Sequence, residues 1–190
     1  MSLWGATDAD ESKPKNLTTA EKKEVFANAS GWVREAGSVL SGNGNTSASP
    51  EVLVALRGLA VKLGNADITE IEFITTSFDK SDGGTLQVRV RFNEPVDVTG
   101  SPQLTVVNDS RANHTLTYAS GTGTHELTFT LAIGAANSAT SAGDVLSVAA
   151  QSIVLASSST IKDTGATATN AELAISSAQG TACGTITVVA

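Results

Sequence analysis

The stretch Gly84-Thr-Leu-Gln-Val-Arg-Val-Arg-Phe-Asn-Glu-Pro95 most restricts the fold, because its apolar residues fall at every second position. Leu86, Val88, Val90 and Phe92 lie on one face of an extended chain, and Thr85, Gln87, Arg89 and Arg91 on the other. That is the pattern of a half-buried antiparallel strand. Pro95 lacks a ladder donor and marks a strand end, and Val96 and Val98 resume the alternation before the Gly100-Ser101-Pro102 turn. The charges and proline from Arg89 to Pro95 are also the chemistry that protects a sheet edge.

The same period continues downstream. Leu104 and Val106 alternate, and NHTLTYASGTGTHELTFTLAIG holds two alternating runs around a glycine-containing loop, the clearest hairpin in the chain. Shorter strands are expected at 144–149, 152–155, 171–175 and 185–189. Seven to nine short strands with almost no helical period predict a mainly β chain, an antiparallel β-sandwich. Aromatic residues are only 4% of the chain, so the core must come from Val, Ile and Leu.

Before about residue 67 the pattern is different. Thr18 and Glu21 have capping-box spacing, which predicts a short helix over 20–29 ended by Ser30-Gly31. Such a helix is unstable alone and must order against something. Residues 41–49 read as a loop. Residues 50–63 fit a helix with Ser49 as cap and Pro50 at its first position, and equally a strand over EVLVAL that stops at Arg57-Gly58.

Charge and composition exclude several functions. A net charge of −7 with twelve basic residues leaves no positive footprint for nucleic acid. The chain has no apolar run long enough for a membrane span or a signal-peptide core, so it reads as soluble and made in the cytoplasm. The single cysteine, Cys183, makes no internal disulfide, and with two histidines it is a poor basis for zinc. The five Asn-x-Ser/Thr sequons fit chance in a Ser- and Thr-rich chain.

His114 and His125 are the only histidine bases available to a serine hydrolase, and both read as strand-end residues. The chain lacks a G-x-S-x-G elbow, a P-loop and a dinucleotide fingerprint, and Gly42-Asn43-Gly44-Asn45 has no following lysine. Asp79 and Asp82 beside Gly83-Gly84, and Asp8, Asp10 and Glu11, carry oxygen ligands suited to calcium, yet acidic residues beside glycines are ordinary turn chemistry. No enzyme, cofactor or metal is expected. Lys13, Lys15, Lys22 and Lys23 are interleaved with Glu and Asp, a solvated mixed-charge segment. Trp4 and Trp32 are large aromatics of the kind that anchor interfaces; Trp32 in Gly31-Trp32-Val33 reads first as core, and Trp4 as partner-facing.

Two resemblances sharpen this reading. The segments VRVRFNEPVDVTGSPQLTV, TYASGTGTHELTFTL, GDVLSVAAQSIVL and TIKDTGATA resemble immunoglobulin-like modules of bacterial surface proteins and of marine phage virion proteins. The leader ESKPKNLTTAEKKEVFANASGWV with SPEVLVAL resembles the N-terminus shared by structural proteins of T4-like cyanophages, in which the EVLVAL segment looks extended. The resemblance therefore favours strand for residues 50–63.

Together the resemblances imply an immunoglobulin-like β-sandwich over 67–190 with an extended N-terminal arm over 1–66 containing one short helix. They imply a non-enzymatic virion component, first a capsid decoration protein, with Trp4, Lys13, Pro14, Lys15, Phe26 and Trp32 as anchor candidates. Its partners would be other virion proteins or further copies of itself. Another implied role is a tail, neck or fibre-associated protein that binds host glycans, and another is a bacterial cell-surface adhesion module.

Overall fold

The computed structural model describes residues 13–38, 42, 44–136, 140–164 and 168–190. It begins with helix α1 (Thr19–Lys23), strands β1 (Val25–Asn28), β2 (Gly31–Arg34) and β3 (Glu51–Ala55), and helix α2 (Leu59–Leu63). Then follow β4 (Ile68–Phe73), β5 (Phe78–Asp79), β6 (Gly84–Thr99), β7 (Gln103–Asn108), β8 (His114–Ser120) and β9 (Thr124–Ile133). The chain closes with β10 (Val145–Ser147), β11 (Gln151–Ser152), β12 (Thr160–Asp163), β13 (Ala174–Ile175), helix α3 (Ser177–Cys183) and β14 (Thr185–Val189). The protein is mainly β, as its alternation predicts.

Leu86, Val88, Val90 and Phe92 are fully buried on one face of β6. The strand does not end at Pro95, however, and it is not an edge. It runs through the proline and changes neighbours there. Its first half pairs with β4 as far as Phe92, and its second half pairs with β12 from Val96. On its other side the register with β9 slips between Arg91 and Val96. Pro95 thus sits in a bulge where its missing N–H costs no ladder bond. The Asn93 side chain fastens the handover by accepting from the Asp67 amide at 2.8 Å.

The large sheet runs β12-β6-β9-β8-β7-β10-β14-β5, with β4 beside β6. Residues from strands as far apart in that order as β12 (Ile161), β6 (Val88) and β14 (Ile186) join one apolar cluster, so the sheet curls around its own inner face. The hairpin forms as expected, with Tyr118 opposite Phe129. Its turn needs Gly121, whose φ is +115° and where a Cβ would lie 1.9 Å from the Glu126 carbonyl oxygen. α3 is unheralded by apolar period, but it has a capping box between Ser176 and Gln179.

The N-terminal part departs most from expectation. The Thr18 capping box forms, but α1 stops at Lys23 rather than continuing to residue 29. VFAN is a strand by its own alternation. Val25 and Ala27 are fully buried beside Trp32 and Leu59, while Phe26 turns to the opposite side. Residues 50–63 are strand and then helix in succession, broken near Gly58 at φ +68°. Residues 25–55 are accordingly not an extended arm, since β1, β2 and β3 form an antiparallel sheet with a core of its own.

Trp32 is the largest side chain in that small core, and its removal leaves a cavity that few neighbours can refill. Trp32→Ala should cost about 3 to 5 kcal/mol, read as a lower urea midpoint. An unchanged midpoint would show that this sheet contributes nothing to the stability of the chain.

Candidate functional site

The N-terminal unit meets the body along a seam, and alternation dictates what lies in it. The face of β6 opposite the core presents Arg89 and Arg91, and register sets Glu72 and Glu70 of β4 beside them and Glu126 of β9 across from Arg91. Arg91 is 7% exposed, with its Nη1 3.0 Å from Glu70 and 3.0 Å from Glu72 and its Nε donating to Glu126. Lys23 of α1 reaches over the same carboxylates of Glu70 and Glu72. Burial raises the Glu72 pKa, but Arg91, Arg89 and Lys23 outweigh it and hold the group below its usual range.

Phe26 covers the end of this band. Its ring stacks on His125 at 4.4 Å between centroids and 16° between planes. Burial, with Lys13 and Arg91 nearby, drives the His125 pKa down to about 3, so the ring is neutral. Glu35 lies 3.4 Å from its Nε2, and burial followed by the Glu126 and Glu24 charges pushes the Glu35 pKa up. Glu35, His125 and Glu126 bring ligand-type atoms within 4.8 Å of one another. Both Glu126 oxygens already face Arg91 and Arg89, however, and the cluster is a charge network that closes the seam.

The anchor candidates are placed unevenly. Trp4 lies outside the described residues, as do Asp8, Asp10 and Glu11. Lys13 is buried and donates from Nζ to the Lys22 carbonyl at 2.8 Å, Pro14 is buried beside it, and Lys15 is exposed. Trp32 is enclosed in the small sheet's core and Phe26 in the seam, so both aromatic side chains make their contacts within the chain. Asp79 accepts from the Ser81 amide and hydroxyl, a local turn. His114 is buried with its Nε2 3.1 Å from the Thr140 hydroxyl. His125 has the parity of Leu127 and Phe129, so its burial follows the alternation of β9, but its contact with Phe26 does not, because it lies at the register slip between β6 and β9.

A groove of 520 Å³ opens further along the seam, between β1 and α2 on one side and the β6 handover and the end of β12 on the other. Ala27, Ala29, Ala60 and Pro95 give it apolar walls, and Glu94 and Asp163 face it with carboxylates. Asp163 accepts from the Thr169 amide and hydroxyl at 2.9 and 2.6 Å. Glu94 is 4% exposed, and its buried Oε1 has no hydrogen-bond partner among the described residues. Burial and then the Asp163 charge push the Glu94 pKa up to about 7. The sequence did carry a signal for it, a glutamate inside a strand directly before the proline of a bulge.

No family model, curated protein or solved structure matches the chain. No helix among the described residues is long and apolar enough to cross a membrane.

The two shifted groups predict opposite responses to pH. Glu94 moves from 4.5 to about 7 on folding, so the folded chain holds the extra proton between those values. Its contribution falls as pH rises through that window, by on the order of 3 kcal/mol in all. His125 moves from 6.5 to about 3, so its contribution is full above 6.5 and is lost as pH falls toward 3. Glu94→Gln should therefore melt higher than the parent at pH 8 and alongside it at pH 4. The same difference at both pH values would contradict the assignment.

Proposed function

We propose that the chain is a non-enzymatic structural protein of a phage virion, an immunoglobulin-like β body attached through its N-terminal region as a capsid decoration protein. The leader and the FNEPV and SGTGT segments carry the resemblance behind this reading. The structural observation that supports it most is the pinned root of the leader. Lys13 and Pro14 are buried and Lys13 is bonded to the end of α1, so the first described residues are held against the N-terminal unit. A stable body with an attachment segment suits repeated weak attachment, in which symmetric display multiplies each contact.

The architecture changes which truncation tests this. Removing residues 1–31 would take away α1 and β1 and uncover Arg91, so loss of attachment would not be separable from loss of fold. Removing 1–12 spares every described element.

The shortened chain should keep the parent melting temperature and fail to load onto purified capsids of the phage that encodes it. Normal loading would refute the anchor. Quantitative mass spectrometry of those particles should give copies in proportion to capsomers, whereas a count matching a single vertex would replace decoration with a tail or neck role.

A further inference from the structure

The groove beside Glu94 holds a set of groups that the described residues leave incomplete. Its floor is acidic, with Glu94 and Asp163 only 4% and 7% exposed, while Val61 at its rim is 80% exposed. None of the described lining residues is basic. Asp163 spends both carboxylate oxygens on Thr169, but the Glu94 Oε1 has no partner among the described residues. A buried acceptor left unpaired is costly, and a charged donor is the group that satisfies it best.

We propose that this groove docks a lysine or arginine side chain presented by another protein. The apolar walls, Ala27, Ala29, Ala60 and Pro95, suit the aliphatic stem of such a residue, and its cationic head would reach the Glu94 carboxylate. A volume of 520 Å³ exceeds what one side chain fills, so the flanking residues of the partner segment are accommodated as well. The exposed Val61 supplies apolar contact at the rim, and the net charge of −7 favours the approach of a basic partner. The inference concerns the groove alone and stands whether or not the chain belongs to a virion.

The test is a titration of the isotope-labelled full chain with the blocked peptide Ac-Ala-Arg-Ala-NH2, followed by amide chemical shifts. Saturable shifts should gather at Asn28, Val61, Glu94 and Asp163, and the matching glutamine peptide should produce none. Glu94→Gln, which keeps the side-chain volume and removes the charge, should weaken binding about tenfold or more. Ala60→Leu narrows the groove without touching either carboxylate and should weaken it too, which covers the case of a misfolded Glu94 variant. Shifts scattered over the surface, no saturable shift, or equal binding by the parent and both variants would overturn the proposal. So would concentration-dependent broadening of the same amides without peptide, which would make a second copy of the chain the occupant.

Discussion

Arg91 is the residue on which the arrangement of the two parts depends. It lies on the central strand of the body, and the same alternation that buries Val90 and Phe92 on the inner face sets its guanidinium on the outer one. Left open, that face would be the solvated side of an antiparallel sheet. Instead α1 and β1 lie over it, and desolvating a guanidinium is tolerated only when its donors are matched. Glu70, Glu72 and Glu126 match them from both neighbouring strands, and Lys23 balances the surplus negative charge. Losing one of these half-buried carboxylates leaves the buried guanidinium partly uncompensated and destabilises the seam. The seam is therefore specific in register as well as held by apolar contact, with Phe26 and His125 closing its end.

The body was legible because a curled and, apart from the parallel pair of β14 and β5, antiparallel sheet repeats one rule. Leu86, Val88, Val90, Leu104, Val106, Leu116, Leu127 and Phe129 follow from parity, and all are fully buried. β14 has the bounds that its alternation predicts. Parity fails where the chain slips register. Around Pro95 it cannot show that one strand serves two neighbours in turn, and so it reads a handover as an end and a central strand as an edge. His125 and Glu94 both lie in that irregular stretch and carry the largest shifts toward neutrality; parity places both with buried residues but does not show what they meet.

The N-terminal part was misread for a different reason. Segments of four or five residues give too few repeats to tell a period of two from one of 3.6, so VFAN passed as helix and residues 50–63 as a single element. What decides them is tertiary. Trp32 and Leu59 need Val25 and Ala27 as partners, and that need overrides local propensity. Phe26 looks like a partner-facing anchor when only the sequence is read, because the ring that covers it belongs to a residue as distant as His125.

The central claim is that the N-terminal unit is docked on the charged face of the body through the Phe26 and His125 rings. A nuclear Overhauser experiment on selectively ring-labelled protein tests it most directly. The account predicts cross-peaks between the ring protons of Phe26 and His125 in the full chain. Their absence in a folded sample, with the Tyr118 to Phe129 cross-peaks of the body present, would contradict it.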